Sequence, residues 1–372
     1  MTVARRPLAL AAVLLLGLTA AGSAAAATGG TGPGATQPSP TLPALSTRQL
    51  VGQHMVFSYA GATPPAALER RIRVGEAAGV ILFGRNIASR GRLRTTIARL
   101  QAIPRPPGLR APLLVMIDQE GGLVKRLSGA PSRSPAEVGR TGSTAVARAE
   151  GTATARNLRG VGVNVNLAPV LDTGRPGSFS EGLGRSYSRD PAAVAALGLA
   201  FAGALRAGRV AATAKHFPGI GVPRVDEDAV ASRIGLSQDT LRRIDEAPFA
   251  AASRARIDLV MLATAIYPAF DRLPALFSRR LATDELRGRL GFAGVSITDD
   301  LETAAASGYG SPAAQARMST RAGADLLLFA QSYVGGAQAA EGLIRDARAR
   351  RVSVPELRTS AARVLALRAS LG

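Results

Sequence analysis

Ile117-Asp118-Gln119-Glu120-Gly121-Gly122, Lys215-His216-Phe217-Pro218-Gly219 and Ile297-Thr298-Asp299-Asp300-Leu301 are three places where an apolar run stops abruptly at charged residues and a glycine or turn. The C-terminal end of a parallel barrel strand reads this way, because the run is buried on both faces while the polar tip is aimed at a ligand. Working outward, further apolar runs fall between amphipathic stretches rich in Ala, Arg and Leu. The eight candidate strands are His54–Ser58, Gly79–Phe83, Leu113–Ile117, Val163–Ala168, Val210–Ala214, Leu259–Ala263, Val295–Thr298 and Asp325–Phe329. Helical spacing marks Gly91–Gln101, Ser143–Leu158, Pro191–Ala207, Asp239–Arg254, Pro312–Ala322 and Pro355–Ser370. Eight strands alternating with helices fit a (β/α)8 barrel of the TIM type better than a doubly wound sheet. No internal repeat and no second domain is visible.

Upstream of the barrel, Met1 to Ala27 has Arg5-Arg6, an apolar run from Leu8 to Ala21 and a small-residue stretch, the layout of a secretory signal peptide. The paired arginines admit twin-arginine export, although Ala4 and Pro7 match that signal poorly. Residues 28–46 are rich in Gly, Pro, Thr and Ser, so they predict a disordered tether, with the folded domain over 47–372. No later segment is long and apolar enough to span a membrane. The expected destination is outside the cell or at its wall. With no cysteine in the chain, neither disulfides nor a lipid-bearing cysteine contribute.

The chain carries +20, and without Arg5 and Arg6 it has 44 basic against 26 acidic residues, or +18. The arginines are scattered, aromatics are scarce and no nucleic-acid motif appears, so an anionic cell-wall polymer is the favoured long-range partner. A coding bias toward arginine explains the charge equally well. Nothing resembles a coiled coil, which leaves a monomer as the default.

Strand ends of a barrel assemble one bowl, so Arg85-Asn86, Asp118, Asp172, Lys215-His216, Thr264 and Asp299 are expected to face it together. Several carboxylates, a lysine, a histidine and arginines make a bowl polar enough for sugar hydroxyls. No glycine-rich phosphate cradle follows a strand; Gly174-Arg175-Pro176-Gly177 reads only as a turn.

The three motifs, in this order, resemble glycoside hydrolase family 3, and in particular its single-domain β-N-acetylglucosaminidases. The resemblance runs from about Leu50 to the C-terminus. It implies that Asp118 and Arg126, in Asp118-Gln119-Glu120-Gly121-Gly122-Leu123-Val124-Lys125-Arg126-Leu127, line a sugar subsite, and that Lys215 and His216 donate hydrogen bonds there. Arg185, in Gly184-Arg185-Ser186-Tyr187, matches a sugar-binding arginine, and Asp172, closing Asn164-Val165-Asn166-Leu167-Ala168-Pro169-Val170-Leu171-Asp172, would orient the pocket. Asp299 matches the nucleophile of a retaining glycosidase, while strand alternation is expected to send Asp300 to the opposite side.

This chain departs from the family's pattern at the acid/base. Relatives place a histidine in the loop after the Lys-His motif, paired with an aspartate two residues earlier; here the aspartate is Asp226 and the histidine position is Asp228. Ile220 and Thr264 also stand where relatives commonly have histidine. Crowding in Asp226-Glu227-Asp228 could keep one carboxylic acid protonated near neutrality, making Asp228 the candidate acid/base. The resemblance therefore implies a retaining β-N-acetylhexosaminidase acting on N-acetylglucosamine-containing glycans, without metal or organic cofactor. A sugar-binding protein that has lost catalysis and a β-glucosidase on the same barrel are the alternatives.

Overall fold

The computed structural model describes residues 43–226, 229–230 and 232–372. Eight parallel strands, here numbered in chain order, form one sheet: β1 (Met55–Phe57), β2 (Gly79–Leu82), β3 (Leu114–Ile117), β4 (Val165–Asn166), β5 (Ala211–Phe217), β6 (Leu259–Leu262), β7 (Val295–Thr298) and β8 (Leu327–Phe329). Neighbours in sequence pair in register, as in Val80↔Val115 and Val260↔Ser296, and β8 returns to β1 through Met55↔Leu327. The last seam closes where Ile297 bridges Leu326 and the Thr298 hydroxyl accepts the Leu328 N–H at 3.0 Å. The eight expected strands are all present, and the sheet is a (β/α)8 barrel.

Alternation along each strand sorts its side chains into two cores. Val56, Ile81, Met116, Val165, Leu259 and Ile297 fill the barrel interior, together with Val364 and Leu367 of the final helix, Val354–Ser370, which plugs the N-terminal end. Their neighbours Phe57, Val80, Val115 and Val260 face the surrounding helices. Both faces are apolar, hence the near-continuous hydrophobic runs.

Helices over Arg90–Ala102, Thr144–Arg159, Pro191–Ala207, Ala247–Arg254 and Pro312–Ala322 follow the expected pattern. Of the helices with eight or more residues, three were not legible: Ala66–Arg73, the π-helical Arg280–Arg289, and Tyr333–Arg348. In the last, Gly336 admits close packing: a Cβ there would sit 2.8 Å from the Phe57 ring. β4 is shorter than the Val163–Ala168 run because side-chain amides replace ladder bonds around it. Asn164 accepts from Val115 N and donates to Leu113 O, and Asn166 does the same for the backbone of Gln119.

β5 is longer than expected, running on through Lys215 and His216. Its ladder with β6 shifts between Ala214 and Phe217, the Lys215–His216 peptide is cis, and both of these adjacent side chains reach the same cavity. The helical start at Thr47 is fixed by a capping box between Ser46 and Gln49, while Leu45 already packs on the core.

Candidate active site

At the C-terminal ends of the strands lies a cavity of about 270 Å³ whose wall includes Asp118, Glu120, Arg126, Arg185, Lys215, His216, Asp226 and Asp299. Ile81, Leu167, Met261 and Leu328 from the barrel interior form its floor, and Phe83, Phe179 and Leu183 add apolar sides. This volume lies near the lower end of the roughly 300–1,000 Å³ common for ligand pockets and suits a single polar ring.

The motif after β3 turns into a two-stranded hairpin, Gln119–Gly121 with Val124–Lys125, rather than an open loop. Gln119 pins it: the side chain accepts from Arg126 N and Leu127 N and donates to the carbonyls of Leu127 and Ala130. Gly121, with φ 111°, is also tightly packed, since a Cβ there would lie 2.3 Å from the Arg133 carbonyl oxygen. Asp118 and Glu120 thereby flank Lys215, whose ammonium sits 2.8 Å from the first and 2.7 Å from the second. Arg126 completes one side, 3.5 Å from Asp118.

Glu120 is a functional candidate that sequence reasoning overlooked, although it stands inside the quoted motif. Its buried carboxylate accepts two bonds of 2.9 Å from Arg185, in addition to Lys215. Burial opposes its charge, but Arg185 and Lys215 outweigh that effect and hold the carboxyl well below the usual range. Asp118 is likewise pulled down against burial, by Lys215 and then Arg126. Lys215 is raised despite burial by the same two carboxylates. All three groups are therefore charged at neutral pH.

His216 donates through its Nδ1–H to Asp172 at 2.8 Å, and Asp172 also accepts the backbone N–H groups of His216 and Ile220. Burial disfavours the imidazolium, yet the charge and hydrogen bond of Asp172, with Asp299 adding, raise the pKa. Asp172 stands behind His216 rather than in the bowl, and it fixes the ring so that Nε2 comes within 3.5 Å of Arg185.

Asp172 thus departs from the expectation that it faces the bowl, and three further expectations require correction. Asn86 does not face the bowl: it accepts from Phe83 N and donates to the carbonyls of Tyr59 and Gly61, closing the turn after β2. Thr264 is buried and does not line the cavity. Asp300 borders the cavity beside Asp299 instead of pointing away, because β7 ends at Thr298 and strand alternation no longer applies. Its carboxylate is nonetheless occupied, accepting from Glu302 N and Ala330 N at 3.0 Å and from the Gln331 amide at 2.8 Å. Arg85 also turns to this rim, donating to the Ala330 carbonyl at 2.6 Å.

Asp299 continues directly from β7, its N–H held by the Leu262 carbonyl and its Oδ1 accepting from Asp300 N at 2.8 Å. Asp226 reaches the cavity from the loop beyond β5. Asp228 and Glu227 lie outside the described residues. Among the described residues, no three His, Cys, Asp or Glu side chains converge as a metal-ligand set.

A closed parallel barrel whose strand ends gather carboxylates, a lysine and arginines around a ring-sized cavity defines a class of hydrolase-like sugar sites. Residues 48–367 match the glycosyl hydrolase family 3 N terminal domain, so the chain belongs to that family and is β-hexosaminidase-like. It is 35% identical over 328 residues to an uncharacterized secreted glycosyl hydrolase of Arthroderma benhamiae, covering 86% of this chain and 92% of that protein. It is 36% identical over 270 residues to a beta-hexosaminidase of Pseudomonas aeruginosa, covering 72% and 79% respectively. A family 3 beta-N-acetylglucosaminidase from Paenibacillus superposes with a TM-score of 0.84 at 33% identity over 88% of this chain, which spans 63% of that longer one. A beta-N-acetylhexosaminidase from Beutenbergia cavernae superposes with a TM-score of 0.80 at 30% identity, covering 87% of this chain and 99% of that one.

Proposed function

We propose that this chain is a secreted, retaining β-N-acetylhexosaminidase releasing terminal β-linked N-acetylglucosamine from cell-wall glycans. Residues 1–27 then serve export, the segment up to residue 42 links them to the barrel, and the barrel is a monomeric catalytic domain drawn to anionic wall polymer by its charge. In this reading Asp118, Arg126, Arg185, Lys215 and His216 bind the sugar. Asp299 attacks the anomeric carbon, forming a glycosyl ester as the bond to the leaving oxygen breaks. Asp228, oriented with Asp226, gives that oxygen its proton and then removes one from the water that cleaves the ester.

The observation that carries the reading is the shared cavity, in which Asp299 meets the same small space as Asp118, Arg126, Arg185, Lys215 and His216. The charge of Asp299 is among the causes that raise His216, so the imidazolium form of His216 and the anionic form that a nucleophile needs favour each other. The experiment is intact-protein mass spectrometry after incubation with a 5-fluoro N-acetylglucosaminyl donor. The wild type should gain one glycosyl residue and Asp299→Asn none.

A second reading, a glycan-binding protein without turnover, draws on the two histidines. His216 is tied to Asp172, and His54 lies at the far end of the barrel, 2.8 Å from the Asp325 carbonyl. Neither replaces the loop histidine of relatives. That reading predicts sugar binding with no adduct and no hydrolysis.

A further inference from the structure

The barrel end opposite the sugar bowl, which the final helix plugs, holds the turns that lead out of the surrounding helices. Among the described residues, the three non-glycine positions with positive φ are all arginines in such turns: Arg209 at 59°, Arg256 at 53° and Arg350 at 55°. Glycine is the ordinary occupant of that conformation after a helix, so each of these arginines is carried at a conformational cost.

At the same end of the barrel, between the helix Arg90–Ala102 and the entries to β3 and β4, lies an open cavity of about 430 Å³. Arg94, Arg105 and Arg159 line it, and no Asp or Glu does. Arg94 and Arg159 are exposed, while Arg105 is half-buried and donates only to carbonyls, those of Gln101 and Arg110 at 3.2 Å and of Ile103 at 3.4 Å. Its Nε is buried with no hydrogen-bond partner. Just behind, the buried Arg368 donates to the carbonyls of Leu109, Ala111 and Pro112, and Pro112 is itself part of the cavity wall. Among the described residues none of these four arginines has a carboxylate within ion-pair reach. Burial, reinforced by the nearby charge of Arg105, pushes the Arg368 guanidinium down to about 10. The Gly372 oxygen, close to Pro112, is met by Arg209 at 3.3 Å.

We infer that this cavity is an oxyanion site, taking a phosphate group, free or within a polymer chain, through Arg94, Arg105 and Arg159. Guanidinium forks match the paired oxygens of phosphate, and an anion there offsets the mutual repulsion of Arg105 and Arg368. A phosphodiester chain held at this end leaves the bowl open at the other. The site is independent of which sugar the bowl takes and of whether the bowl turns it over.

Isothermal titration of the full chain with inorganic phosphate and, separately, with polyphosphate tests it. Saturable binding of inorganic phosphate assigns a single group to the cavity, and binding of polyphosphate alone assigns the chain as its source. In either case the double variant Arg94→Gln/Arg159→Gln, both positions exposed, should weaken binding by about tenfold or more. The control pair Arg148→Gln/Arg272→Gln, exposed and distant from the cavity, should change it by no more than about twofold. Hydrolysis of a small aryl glycoside should be the same in all forms. Wild-type binding by the Arg94/Arg159 variant, or equal weakening by the control pair, overturns the proposal, since attraction is then a property of the overall charge.

Discussion

Asp299 and Asp300 are adjacent carboxylates with different surroundings, and those surroundings assign them different tasks. Asp300 is occupied on both oxygens by Glu302, Ala330 and Gln331, so it fastens the β7 exit to the β8 exit. Asp299→Asn should therefore abolish turnover of an aryl glycoside with an unchanged melting temperature, whereas Asp300→Asn should keep a substantial fraction of activity; the reverse pattern would move the nucleophile. Burial raises the Asp300 pKa from 3.8 to about 6. Between those values the folded state holds a proton that the unfolded state has lost, so stability declines as pH rises through that window. The loss should reach on the order of 2–3 kcal/mol, and denaturation curves of Asp300→Asn should lack it. His216 runs on a different cause, the charge of Asp172 overcoming burial. Its contribution is complete below about 6.5 and is lost as pH rises through the elevated folded value. Sugar affinity should fall on that alkaline side, and in Asp172→Asn the fall should come at lower pH, as a calorimetric pH series would show.

Among the elements, the seam between β7 and β8 depends on one buried carboxylate. Asp325 accepts from Ser296 N at 2.9 Å, from Ser360 at 2.5 Å and from Arg363 at 2.7 Å, and it also pairs with Arg287. It thus joins the last two strands to the π-helical segment and the final helix. Removing it leaves two guanidiniums without their counter-charge, so Asp325→Ala should cost about 3–5 kcal/mol, read as a lower urea midpoint. The bowl chemistry should survive in the fraction still folded, because Asp325 lies at the other end. Apolar runs made these strands visible, but the seam's dependence on Asp325 was not, since an aspartate at the head of a run looks like any solvated strand entry.

For the molecule as a whole, the decisive variable is the loop beyond β5. If Asp228 protonates the leaving oxygen, Asp228→Ala should slow chitobiose far more than an activated aryl glycoside, and azide should partly restore the aryl rate. Equal rates for both proteins on both substrates would remove Asp228 from the role. The sequence by itself determined the architecture and the location of the chemistry. Burial of a parallel strand on both faces writes an apolar run into consecutive residues, and the abrupt change to charge at Asp118 and Asp299 marks two strand ends locally, while at Lys215 it marks the cavity although β5 runs on to Phe217. Tertiary structure alone decided how those charges are partnered. Glu120 meets Arg185 across 65 residues and Lys215 meets Asp118 across 97, separations over which no local pattern constrains a pair. It also decided that Asn86 closes the turn after β2, that Thr264 lies off the cavity and that Asp172 holds His216, because the direction of a side chain beyond a strand end follows from the turn that the barrel imposes there, not from the alternation within the strand.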